Sequence, residues 1–242
     1  MTKKNIPTII SSCVLIALSL FSLVFAWFTF VTTINTNPVY FETARVESRI
    51  TLYKGNDKNK DGYLDIVNGT RVFTLVQQEQ DEEGNNKNLK LNFIDMMPTE
   101  IFTWKIEIEN LGDVDGYTIG YLDSSLLSEL FVKTLSVTFD RSDNNGYSSK
   151  LYLGNLIPPL DPLEDNIIFG GTYEDIVYSP LNQTPDHKIK RDYFIRFEFE
   201  TFDNLIENGV LITYDEYQSL QGKSYSQLEF VKVILSSDAP QT

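Results

Sequence analysis

The chain has 242 residues, with 34 acidic against 20 basic side chains and a formal net charge of −14. That balance argues against a nucleic-acid partner, because a duplex or strand of phosphates needs clustered Lys and Arg. Aromatic residues make up 13% of the chain, which excludes a disordered polymer and allows one large β domain or two small ones around a packed core.

Residues 9–31 carry no charged side chain. As a helix they would reach about 35 Å, enough to cross a hydrocarbon layer of ~30 Å. Lys3 and Lys4 precede the stretch and the next base is Arg45, so the positive-inside rule places the N-terminus in the cytoplasm and the remainder outside. The expectation is an extracytoplasmic protein that meets the membrane through residues 1–31, either anchored there or secreted to the cell surface. Val24 and Ala26 are short residues at −3 and −1, which suits a signal peptidase cutting between Ala26 and Trp27. An uncleaved anchor is the competing reading, since Trp27 and Phe28 prolong the apolar run. The single cysteine, Cys13, lies within this segment, so the exported part has no disulfide.

Residues 32–38 form a polar connector ending in Pro38, and residues 39–242 form the exported domain. Period-2 alternation dominates it. Phe102, Trp104, Ile106 and Ile108 alternate with Thr103, Lys105, Glu107 and Glu109. Tyr193, Ile195, Phe197 and Phe199 alternate with Phe194, Arg196, Glu198 and Glu200. Weaker alternation marks 46–53, 89–93, 117–121, 135–139 and 228–235. Turn chemistry separates these runs at 112–116, 143–146 and 157–159. Two short helices are expected, over 124–131 and 214–220; the second has Thr213 and Glu216 at capping-box spacing and Gly222 beyond its end. The pattern predicts an all-β fold of two packed antiparallel sheets, preceded by one N-terminal hydrophobic helix.

The sharpest local motif runs from residue 57 to residue 65. Asp57, Asn59 and Asp61 place oxygen ligands at positions 1, 3 and 5, Gly62 permits a tight bend, Tyr63 offers its carbonyl, and Asp65 supplies a carboxylate at position 9. Hard Ca²⁺ needs such clustered oxygens. Position 12 is Asn68 rather than Glu and no helices flank the loop, so it is not an EF-hand. A solvated hairpin tip is the competing reading, because Asp, Asn and Gly also make turns.

Three stretches together resemble the TasA/camelysin family of exported fibre and surface proteins, whose signal peptides are removed by a dedicated SipW-type peptidase. Ala26-Trp27-Phe28-Thr29 resembles the family's junction at the end of the signal peptide. Phe41-Glu42-Thr43-Ala44-Arg45-Val46, with the strand after it, is similar to the start of the mature domain. Met97-Pro98-Thr99-Glu100, the strand at 104–109 and Asn110-Leu111-Gly112-Asp113 resemble the family's Pro-Gly-Asp turn, strand and Asn-x-Gly turn, with Thr99 standing where the glycine usually is. The resemblance implies a jelly-roll-like sandwich and a role in surface or biofilm-matrix assembly, through self-association or a surface protein.

No catalytic centre is expected. Some camelysin relatives are classed as peptidases, but zinc hydrolysis on a helix uses His-Glu-x-x-His, and this chain has one histidine, His187, in a loop. The pairs Glu107/Glu109 and Glu198/Glu200 each share one strand face, which predicts a solvated side of a sheet rather than a glycosidase site. The function expected is a structural surface or matrix protein, possible fibre formation proceeding by strand addition. The alternative is a membrane-anchored binding module for carbohydrate or a surface partner.

Overall fold

The alternating runs become strands of two facing sheets. A computed structural model describes residues 18–22, 45–59, 63–81, 87–141, 148–156 and 167–238. The chain divides into two units, Met1–Thr43 and Ala44–Thr242. In the first, residues 18–22 are helical (α1), with Leu18, Leu20 and Phe21 exposed. The rest of the expected 9–31 helix, the Ala26–Trp27 junction and the connector lie outside the described residues. Among the described residues no helix is long and apolar enough to cross a membrane.

The second unit is an antiparallel sandwich. One sheet has the order β4-β1-β6-β12-β8-β9, formed by β1 (Ser48–Gly55), β4 (Phe73–Asp81), β6 (Ile101–Asn110), β8 (Leu135–Asp140), β9 (Leu151–Tyr152) and β12 (Lys190–Phe199). The other has the order β10-β7-β13-β5, from β5 (Lys87–Phe93), β7 (Gly116–Leu122), β10 (Ile167–Gly170) and β13 (Tyr225–Ser236), with β11 (Ile176–Val177) also paired to β7. A small hairpin, β2 (Ile66–Val67) and β3 (Thr70–Arg71), turns at Asn68-Gly69, both with positive φ, as a two-residue hairpin turn requires. The chain changes sheet at every step from β4 to β8, which gives the sandwich its jelly-roll-like winding.

The expected inward residues are the core. Trp104, Ile106, Ile108, Tyr193, Ile195, Phe197 and Phe199 are all buried. Phe93 of β5 lies between the sheets, its ring 5.0 Å from Trp104 and 5.7 Å from Phe197, and Phe230 of β13 lies 5.6 Å from Phe197. Each such edge-to-face pair adds roughly 1 kcal/mol to the burial of its rings.

β1 is an interior strand. It pairs with β4 on one side and with β6 on the other, so residues 49–53 lie within their own sandwich. The N–H groups of Leu111 and Asp113 donate to the carbonyls of Glu47 and Arg45, which carries the pairing back to residue 45. Gly112 is required there, because a Cβ would lie 2.3 Å from the Arg45 carbonyl oxygen. β1 starts opposite Asn110, and β13 ends opposite Tyr117. Both ends of the domain therefore leave at the pole formed by the 111–115 turn. Loops 56–72, 94–100 and 200–224 form the opposite pole.

Helices differ from expectation in detail. α2 (Leu130–Lys133) covers only the end of the expected 124–131 helix, because residues 124–128 instead make turns begun by the Asp123 carboxylate accepting from Ser125 N–H at 2.6 Å. α3 (Phe202–Glu207) was not anticipated. α4 (Tyr214–Gln218) has the expected capping box between Thr213 and Glu216.

Candidate functional site

The loop proposed for calcium is an excursion from the β1–β4 ladder. Asn56 donates to Val72 O at 3.0 Å, Asp65 N–H donates to Asn56 O at 2.7 Å, and Val72 N–H donates to Asp65 O at 2.9 Å. Asp65 thus closes the 57–64 excursion on one side and the β2–β3 hairpin on the other. Its Oδ1 accepts from Lys58 N–H at 3.5 Å, so the carboxylate turns into the excursion. Asp57, Asn59, Tyr63 and Asp65 share this closed loop, while Asp61 lies outside the described residues. Among the described residues no group of three His, Cys, Asp or Glu side chains is placed to hold a metal. The calcium expectation therefore turns on Asp61, which the described residues do not include.

His187 belongs to loop architecture. Its ring stacks on Tyr178 with centroids 3.9 Å apart, and its Nδ1 lies 3.0 Å from Asn182 O. That loop is pinned to the 111–115 turn: Asp115 Oδ1 accepts from Ser179 N–H at 2.8 Å and from Asn182 Nδ2 at 3.0 Å.

The acidic pairs divide. Glu107 and Glu109 lie on the outer face of the larger sheet within a ladder of ion pairs: Glu109 meets Arg49 at 3.0 Å and Lys190 at 3.2 Å, and Lys105 meets Asp192 at 2.9 Å. Glu200 departs from the solvated-face expectation. It is fully buried just past β12, where its carboxylate accepts from Lys150 Nζ at 2.7 Å, Ser136 Oγ at 2.5 Å and Asn204 Nδ2 at 3.1 Å. Burial pushes the Glu200 carboxyl up, but the hydrogen bonds from Lys150, Ser136 and Asn204 outweigh it and hold the group below the usual glutamate range. Lys150 also meets Glu198 at 2.7 Å, and the two carboxylates overcome its own desolvation to hold its ammonium above the usual lysine range.

A second buried carboxylate, Asp175, accepts from Tyr193 OH at 3.0 Å, Arg141 Nη2 at 3.0 Å and Thr172 Oγ1 at 2.5 Å. Burial, and then the charge of Asp175, pushes the Tyr193 phenol well above the usual tyrosine range. Glu200 was read in the sequence only as part of a solvated pair with Glu198, and Asp175 did not stand out. The only signals for Asp175 were Thr172 and Asp175 at capping-box spacing.

The outer face of the larger sheet also carries a groove of about 620 Å³. Glu107, Lys190, Arg191, Asp192 and Phe194 line it from the strands, Tyr178, Asp186 and Lys188 from the 178–189 loop, and Arg141 completes the lining. No run of residues announced it, because its lining comes from β6, β12, the end of β8 and the 178–189 loop. No protein-family model matches the chain, and no curated protein or solved structure matches it either.

Proposed function

We propose that this chain is an exported structural protein of a bacterial cell surface or biofilm matrix, self-associating by strand addition rather than acting as an enzyme. The observation that carries the reading is the edge strand β4. It is nine residues long, it borders the six-stranded sheet, and it contains no Lys, Arg or Pro. Such an edge offers a row of N–H and C=O groups to an added strand. Leu75, 55% exposed on that strand, is an apolar contact for the incoming side chains. The donor is the segment before β1, from Asn37 through Thr43 with Val39 and Phe41, because residues 45–53 are engaged within their own domain. Release from the membrane segment by cleavage between Ala26 and Trp27 frees that donor. The resemblance to the TasA/camelysin family points the same way.

The test compares the size in solution of protein spanning residues 27–242 with that of the same protein carrying Leu75→Lys. The expected result is concentration-dependent association that the charged edge abolishes while the melting temperature holds. A parent protein that stays monomeric at high concentration overturns the reading.

The alternative, an anchored surface module, is favoured by a different observation. Ile66 and Val67 of the small hairpin and Ile94, Met97 and Leu211 in loops are exposed apolar residues at the pole away from the domain's two ends. Such a cluster of exposed apolar side chains is a contact surface for a partner.

A further inference from the structure

We propose that the groove on the outer face of the larger sheet binds an acidic polysaccharide, with Arg191 and Lys188 meeting its carboxylates. This site does not depend on assembly through β4, which lies at the edge of the sheet.

The groove is built before any ligand arrives. Its 178–189 wall is held by Asp115, by the Tyr178–His187 stack, and by Tyr178 N–H donating to Lys188 O at 3.0 Å. A wall fixed in advance loses little freedom on binding. Most of the charges in the lining are already matched. Lys190 meets Glu107 at 3.5 Å, Lys105 meets Asp192, and Arg141 is committed to Glu174 and Asp175 at 2.8 and 3.0 Å.

Two cations remain. Lys188 is exposed and has no ion-pair partner among the described residues. Arg191 uses only its Nε, donating to Ile176 O at 3.2 Å, and among the described residues its terminal nitrogens have no partner. One acid, the exposed Asp186, is likewise without an ion pair among the described residues.

A ligand that uses this set must bring anionic groups for Arg191 and Lys188 and a hydroxyl donor for Asp186. It must also offer a ring or methine face to Tyr178. A neutral sugar leaves the two cations unmatched. A sugar polymer bearing carboxylates satisfies both sets, and the planar guanidinium of Arg191 matches a carboxylate with two parallel hydrogen bonds. In a chain of net charge −14, long-range attraction does not favour a polyanion, so recognition has to be local to this groove.

The experiment titrates the full-length protein in detergent with oligogalacturonate, using neutral dextran as the comparison. Oligogalacturonate should bind and dextran should not. Arg191→Glu and Lys188→Glu should each weaken binding by about tenfold or more, since a charge-assisted hydrogen bond is worth roughly 1.5–3 kcal/mol. Lys223→Glu, at the far pole, should leave binding unchanged, and it and Lys188→Glu, both at exposed positions, should keep the parent melting temperature. No binding of oligogalacturonate, equal binding of dextran, or unchanged affinity in both groove variants overturns the proposal.

Discussion

The Thr99 N–H donates to the Phe199 carbonyl at 2.7 Å, fastening the turn between β5 and β6 to the end of β12. Thr99 makes that bond with φ of +69°, and Glu100 N–H returns to Met97 O at 2.9 Å. Met97-Pro98-Thr99-Glu100 is therefore a β-turn with proline second and a left-handed residue third, the position that favours glycine. A β-branched side chain is strained there by roughly 1–2 kcal/mol. Thr99→Gly should stabilise the domain by about 1 kcal/mol, read as a higher denaturation midpoint at unchanged slope. A lower midpoint would mean that the threonine side chain makes a compensating contact.

Glu200 should set part of the acid sensitivity. Its carboxyl is held below the usual range in the folded chain, so its contribution is present above the unfolded value of about 4.3 and is lost as pH falls through the lower folded value. Glu200→Gln should destabilise the domain by about 3 kcal/mol at neutral pH, the low end for breaking a buried pair, because Lys150 keeps Glu198 and is partly exposed. It should also flatten the fall in stability between about pH 5 and pH 2. Denaturant unfolding across that range measures both effects.

Calcium should raise the melting temperature if Asp57, Asn59, Asp61, Tyr63 and Asp65 form a site, since a ligand bound only by the native state stabilises it. Asp61→Ala and Asp65→Asn should each remove the shift. An unchanged melting temperature at roughly millimolar calcium reduces the loop to a hairpin tip closed by Asn56 and Asp65.

Asn110 should be a stability determinant out of proportion to its size. Fully buried at the end of β6, it donates to Val114 O at 2.8 Å and Val177 O at 2.9 Å and accepts from Gly112 N–H at 2.9 Å. Asn110→Ala leaves those three backbone groups without partners and should destabilise by about 3 kcal/mol. Asn110→Asp keeps the acceptor but loses both donors, so it should recover little. Thermal unfolding of the two variants separates shape from hydrogen bonding.

Local chemistry was legible where one strand or one turn decides the outcome. The alternation in 102–109 and 193–199 identified the inward residues, because successive side chains on a strand point to opposite faces whatever lies beyond. The Thr213/Glu216 cap was readable for the same local reason. α3 was missed although Thr201 and Asn208-Gly209 flank it, since its stretch 202–207 is too short for a helical period to show.

The β-rich class, the core residues of β6 and β12, and the turn at 112–116 were all legible along the chain. Each follows from backbone sterics and the burial of apolar side chains over a few neighbouring positions. Long-range pairing put β1 inside its sheet, which leaves β4 as the edge. It also decided that Glu200 is buried while Glu107, also on an outward-facing position, stays on a solvated ladder. Those outcomes depend on partners far along the chain: Glu200 is enclosed by Lys150, Ser136 and Asn204, and the groove gathers Arg141, Tyr178, Lys188 and Arg191. Period-2 alternation says which face a residue takes, but strand order and register say what covers that face, and both are set by contacts across the whole sandwich.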